Sequence, residues 1–189
     1  QNPSGNADMN NTAVGYRAGY ATTTGQENTF IGSSAGVANT TASYNTAVGH
    51  TALDANITGA DNTAVGRNAL GASTASNNTA LGTNAGGAIT SGGSSTAIGA
   101  GALDALTTVG SMTAVGASAL GANTSGYGST AVGAACLDAN TSGNNNTALG
   151  QNALGANTTA SDNVAVGTAA GDAITTGGQN VAIGSGALG

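Results

Sequence analysis

The sequence is short of charge, aromatic rings, cysteine and long apolar runs, and each shortage excludes a class of protein. Charged residues make up 5% of the 189, where ordinary globular domains carry roughly 25%. Arg17 and Arg67 stand against eight acids, for a formal charge of −6. With no basic patch to hold phosphates, no nucleic-acid partner is expected. No apolar run reaches the ~18–20 residues that cross a bilayer, so no membrane insertion is expected in this segment. The opening QNPSGNADMN has neither the basic nor the apolar section of a signal peptide, so any leader or anchor is expected to have been removed or to lie outside it. One cysteine, Cys136, rules out an internal disulfide framework. Aromatics at 3% leave no aromatic core.

What the chain has instead is one word, NTAVG, at Asn11 to Gly15, Asn45 to Gly49 and Asn62 to Gly66, with near-copies such as NTFIG, NTALG, STAIG and NVAIG between and after them. The words begin at 11, 28, 45, 62, 78, 95, 112, 129, 146, 163 and 180. Every step is 17 residues except one of 16, from 62 to 78. A fixed period of this size marks a repeat architecture and takes precedence over local propensity. Strict apolar columns also argue against disorder, because a disordered chain need not keep a register. The expected organisation is an irregular N-terminal segment, 1–10, then 11–189 as a solenoid of about eleven units with the last cut short.

Stacking the units with the Asn of NTAVG as position one exposes the columns. Position four is aliphatic in every unit: Val14, Ile31, Val48, Val65, Leu81, Ile98, Val115, Val132, Leu149, Val166 and Ile183. This column is the expected structural core. Position five is glycine throughout: Gly15, Gly32, Gly49, Gly66, Gly82, Gly99, Gly116, Gly133, Gly150, Gly167 and Gly184. A constant glycine there is what a corner requires when φ turns positive or backbones approach closely. Position three is Ala except Phe30, and position eight is Ala except Cys136. Extended chain puts positions two and four on one face and three on the other. The xxAL segment after the glycine is expected to form a second short strand, followed by a polar turn. Glycine, Asn and Thr density and the lack of a 3.6-residue apolar period speak against helix. The fold class expected is therefore all-β, a parallel β-solenoid or β-roll with one 17-residue repeat per coil.

A single coil of this composition is marginal. Its one or two large aliphatics return roughly 1.5–3 kcal/mol each when buried, while ordering the backbone costs on the order of 1–2 kcal/mol per residue. Faces of small Ala would let backbones approach, and copies of the chain are expected to pack side by side around a symmetry axis. An open coil at either end would accept another strand, which makes an end-to-end filament a second form of self-association.

The repeats NTAVGHTALDANITGAD and NVAIGSGALG resemble the head repeats of trimeric autotransporter adhesins and similar repeats in bacteriophage tail fibres. The resemblance covers Asn11 to Gly189, with the aliphatic column and the glycine column in the family's places. It implies a left-handed parallel β-roll, a homotrimer, and display at a bacterial cell surface or on a virion fibre. It also implies an extracellular fibre or adhesin shaft, with a host-surface or glycan receptor among its partners. The present period is longer than that of the best-known adhesin heads.

Chemical readings are weak beside this. His50 shares its column with Tyr16, Ser33, Arg67, Thr83 and Gln151, a column without chemical preference, and reads as a solvated surface residue. Cys136 replaces an otherwise constant Ala and reads as a small buried thiol. The two fall five units apart, roughly 24 Å along a coil axis, so they form no nucleophile–base pair. Asp54, Asp104, Asp138 and Asp172 share column ten but stand roughly 10–15 Å apart, too far to gather the six to eight oxygens of a calcium site. No catalytic, cofactor-binding or metal residues are assigned, and no enzyme activity is expected. One rival to the fibre reading survives: Thr ladders, Thr12, Thr29, Thr46 and Thr63 in one column and Thr74, Thr90, Thr107 and Thr124 in another, as an ice- or glycan-binding surface.

Overall fold

The computed structural model describes residues 9–189; of the segment 1–10, residues 1–8 lie outside the described residues. The architecture is all-β. Eleven three-residue strands, one per unit, run as β1 (Thr12–Val14), β2 (Thr29–Ile31), β3 (Thr46–Val48), β4 (Thr63–Val65), β5 (Thr79–Leu81), β6 (Thr96–Ile98), β7 (Thr113–Val115), β8 (Thr130–Val132), β9 (Thr147–Leu149), β10 (Val164–Val166) and β11 (Val181–Ile183). They form one sheet in chain order. Every neighbouring pair is parallel, as in Thr46↔Thr63, Ala47↔Ala64 and Val48↔Val65. Parallel neighbours need a crossover of a dozen or more residues, which the rest of each 17-residue unit supplies. The result is a β-solenoid in which each coil lies directly over the last.

The short unit shows where the coil tolerates loss. Between Asn62 and Asn78 one residue is missing, yet Thr63 still pairs with Thr79 and Val65 with Leu81. The deletion is absorbed in the polar turn at Ser73–Ala75, where the Ala75 N–H donates to Ser73 Oγ instead. The turn accepts the change because Thr74 and Ala75 lie at the surface and only Ser73 is buried; a strand column could not.

Only one strand forms per coil. The xxAL segment, expected as a second strand, is a run of turns with left-handed residues at positions seven and nine, such as Thr51 (φ 53) and Leu53 (φ 55). The ladder nevertheless continues through it and changes direction. At position seven the N–H donates to the preceding coil, as Ser34 does to the Tyr16 carbonyl at 2.8 Å. At position nine it donates to the following coil, as Gly36 does to Ala52 at 2.9 Å. Left-handed backbone costs roughly 1–2 kcal/mol for a residue with a Cβ. Leu53, Leu70, Leu103, Leu120, Leu137 and Leu154 accept it because each is wholly buried, which returns roughly 1.5–3 kcal/mol.

The interior is narrow and built from small residues. Ala of position three, Ala or Cys136 of position eight, Leu of position nine and, at position twelve, Ile89 and Leu106 form one continuous core, with Ile174 packed against it. Where Leu is replaced by Gly, a neighbour fills the space. Phe30, buried at position three, occupies the room beside Gly36, and a Cβ on Gly19 would meet its Cδ2 at 2.7 Å. Ile89 does the same for Gly86 and Ile174 for Gly171. Core volume is conserved across columns while its source moves between them.

Two expectations about the inside are corrected. The column Val14, Ile31, Val48, Val65, Leu81, Ile98, Val115, Val132, Leu149, Val166 and Ile183 is not the core: it lies on the outer face of the sheet, half-buried to exposed, with Val14 57% and Ile183 70% exposed. The inner face carries position three, wholly buried in coils three to five. Alternation assigned the two faces correctly, but a three-residue strand backed by tight turns leaves room inside for Ala, not for a branched residue at every rung. The Ala columns of positions three and eight accordingly line the interior and are not available to bring separate copies together; the Ala column of position eleven stays at the surface, half-buried to exposed.

All eleven corner glycines have φ between 118 and 141°. All but Gly184 also abut the next coil's glycine: a Cβ on Gly82 would stand 2.7 Å from the Gly99 carbonyl carbon and oxygen, whereas at Gly184 nothing lies within 4 Å. Gly82→Ala therefore combines backbone strain with a backbone clash and should cost at least ~2 kcal/mol. Gly184→Ala carries the strain alone and should cost distinctly less. Denaturant unfolding of the two variants checks the order; equal losses would contradict the close-approach account.

Candidate association face and buried ladders

Positions two and four of the strands make the outer face. Column two is Thr from Thr12 to Thr147 and then Val164 and Val181; column four is the aliphatic file described above. The face continues over eleven rungs, about 48 Å at the parallel-strand spacing, with the two columns about 7 Å apart. That strip, one column of it threonine for nine coils, covers on the order of 300 Å² before its flanks are counted, at the lower end of the range for the largest apolar patch of a typical monomer. It is interrupted by no charged residue: every strand is Thr or Val, then Ala or Phe, then Val, Ile or Leu.

Immediately before each strand stands a buried polar column that sequence reasoning saw as repetition but not as a hydrogen-bond device. Asn45 Oδ1 accepts the Asn62 backbone N–H at 3.0 Å and its side-chain amide at 3.1 Å. Its own amide donates to the Gly59 carbonyl at 2.9 Å, closing the coil on itself. Asn28, Asn62, Asn78, Asn146 and Asn163 pass the chain on in the same way. Ser95 and Ser129 keep a shorter version with their hydroxyls, and Met112 interrupts it. A second buried set at position twelve, including Asn56, Asn140 and Asn157, ties its turn by paired bonds between the side chain and the backbone three residues on. The signal was available: an Asn column directly before an extended segment, where a buried amide must find partners on both sides.

The second Thr ladder is less free than its exposure implies. Thr74, Thr90 and Thr124 each donate their hydroxyl to the carbonyl of the next coil's residue, at 3.1, 2.8 and 3.2 Å. Their protons serve coil-to-coil stacking and are not presented to a ligand. The first ladder, Thr12, Thr29, Thr46 and Thr63, lies on the outer strand face beside the aliphatic file.

His50 is exposed, with Nδ1 3.3 Å from the Thr51 hydroxyl. Cys136 is buried and its Sγ donates to the Ala148 carbonyl at 3.3 Å. They stand five coils apart and are not brought together. Asp54 and Asp138 are half-buried and Asp104 and Asp172 exposed, one per coil along the turn. Burial pushes the Asp54 carboxyl above its ordinary value, opposed by backbone hydrogen bonds and by His50. Among the described residues, no three of His, Cys, Asp and Glu form a group that could hold a metal ion, and no helix is long and apolar enough to cross a membrane.

Comparison with known proteins found no matching family model, no matching curated protein and no matching solved structure.

Two predictions follow from the buried columns. Asn45→Leu removes the acceptor for Asn62 and the closure onto Gly59, and should cost about 2–3 kcal/mol by denaturant unfolding, the penalty of leaving buried amides unpaired. Burial, as the main cause, pushes the Cys136 thiol up to about 11, opposed by a hydrogen bond with the Val132 backbone and reinforced by the Asp138 charge. An unfolded thiol ionises near ~8.5, so above that pH the folded chain binds more protons than the unfolded chain, and stability falls as pH rises towards about 11. Cys136→Ala, which restores the column's usual residue, should flatten that part of the stability profile. A thiol reagent should leave native Cys136 unmodified at neutral pH and label it after unfolding.

Proposed function

We propose that the chain is a segment of a structural extracellular fibre or adhesin shaft, in which copies associate through the outer strand face and no catalysis takes place. The observation that carries this reading is the aliphatic file on that face, unbroken over eleven rungs and nowhere fully buried in the single chain. Covering what remains exposed returns on the order of 1 kcal/mol per rung, about half of a full burial. Over the array that amounts to on the order of 10 kcal/mol, comparable with the 4–15 kcal/mol cost of association. A few rungs would fall well short of that cost, and only a long, repetitive array reaches it. Regularity is thus the functional property, since every rung adds the same increment.

The number of copies is taken to be three, on the resemblance of the repeats to the heads of trimeric autotransporter adhesins and to phage tail-fibre repeats. Three faces converging on one axis bury the file completely, which two flat faces also do. The same resemblance supports placing the fibre at a bacterial surface or on a virion, and supplies a left-handed coil. Stacking of coils end to end is the alternative route to a filament. An ice-binding surface is the alternative use of the Thr column on the same face.

Mass measurement in solution separates these readings. The fibre reading expects a discrete particle of three chains that falls to single chains in the double variant Val65→Asp, Val115→Asp, with the single-chain fold kept. A single-chain wild type with thermal hysteresis would replace it by the ice-binding solenoid. A continuous series of masses would replace it by end-to-end growth.

A further inference from the structure

Departures from the repeat are rare, and those that add positive charge lie in the same few coils as two of the four exposed tyrosines, Tyr16 and Tyr20; Tyr44 and Tyr127 stand at the end of their own units, away from positions six and seven. Among the described residues, Arg17, His50 and Arg67 are the chain's only cationic or imidazole side chains, and all fall in the first four coils at positions six and seven. Position six of the remaining seven coils is Thr, Ala, Gln or Ser. Tyr16 and Tyr20, 74% and 71% exposed, belong to the first coil of the same strip. The Arg17 guanidinium lies 4.9 Å from the Tyr20 ring centroid. Position six occurs once per rung, and its carbonyls bind the next coil in turn, Tyr16 to Ser34, Ser33 to Thr51, His50 to Asn68 and Arg67 to Asn84. Tyr16 and Arg67 are therefore three rungs apart, about 14 Å. The strip lies past the glycine corner, outside the strand face on which association was argued.

We propose that this strip, Tyr16, Arg17, Tyr20, His50 and Arg67, binds a linear carboxylated glycan laid along the coil axis. The Tyr16 ring and the face of Tyr20 that Arg17 leaves uncovered supply the apolar surfaces against which sugar rings stack, with a hydroxyl at the rim. Guanidinium groups at the two ends supply the planar, two-pronged donors that suit a carboxylate. Three rungs of length suit an extended chain rather than a compact ligand. The whole chain carries a formal charge of −6, and Asp54 lies close enough to His50 to feel its charge. A densely sulfated polymer is repelled by that field, whereas one carboxylate per few sugars meets the two arginines and little else. The inference does not depend on the copy number of the fibre.

Titration calorimetry with a hyaluronan oligosaccharide, which alternates a uronic acid with N-acetylglucosamine, tests it on the whole chain. Each variant takes a residue the repeat itself uses in that column: Tyr16→Ser, Arg17→Asn and Arg67→Thr. Asn suits the left-handed backbone at Arg17, since Asn68 and Asn84 occupy the same position at φ 57 and 56°. Each should weaken binding about tenfold, the loss of one charge-assisted or stacking contact. Gln151→Ser, in the same column five coils beyond Arg67, should leave it unchanged. Absence of binding by the wild type, equal binding of an uncharged N-acetylglucosamine oligomer, or tighter binding of heparin would each overturn the assignment. Particle mass, measured on the same samples, should be constant across the variants, so that a fault in the association reading is seen separately.

Discussion

Everything in this molecule depends on residues standing directly over their own kind at the spacing of parallel strands. A side chain in column one, three or nine touches the equivalent side chain of the coil before and the coil after, so each column must be complementary to itself. Asn satisfies this at position one because an amide both donates and accepts: its oxygen takes the next coil's N–H while its nitrogen closes its own coil. Glycine satisfies it at position five because successive backbones approach too closely for a Cβ. Ala satisfies it at position three because the coil is too narrow for anything larger without compensation, and Phe30 shows the compensation, with glycine on both sides of it at position nine.

That constraint explains why so much left-handed backbone is tolerated. Non-glycine residues with positive φ recur at positions seven, nine and seventeen through the whole solenoid. In an ordinary globular protein only a few per cent of non-glycine residues adopt such a backbone. Here the geometry lets the backbone turn tightly while its N–H groups reach alternately to the coil before and the coil after. Hydrogen bonding continues around the circumference although only three residues per coil count as strand. The cost per residue is offset by complete burial at position nine from Leu53 to Leu154; at seven and seventeen, Asn and Asp, which accept this backbone most readily among residues with a Cβ, recur.

The same narrowness decides what faces outward. The core is built of Ala, Leu and buried amides, and the branched aliphatic residues of position four are turned onto the outer face of the sheet. The long file of Val, Ile and Leu is therefore a surface property of the single chain. Burying it is the physical basis of the fibre proposal, and the Tyr and Arg strip beyond the glycine corner is left as a separate surface.

Period, strand positions, the alternation of faces and the glycine corner were legible in the sequence because each is set by local stereochemistry repeated in register: NTAVG has one extended reading, and a constant Gly15 or Gly49 after it needs positive φ. The buried state of Cys136 was legible too, from the Ala it replaces. Which face turns inward was not, because Thr-Ala-Val alternates equally well either way and hydrophobicity alone favours burying Val48 over Ala47. Only closing the coil showed that the interior admits Ala47 and excludes Val48. The left-handed turns at Leu53 and its equivalents were hidden for a related reason, since leucine avoids positive φ unless tertiary burial repays it. Local chemistry determined the rung; the width of the closed coil determined its inside and its outside.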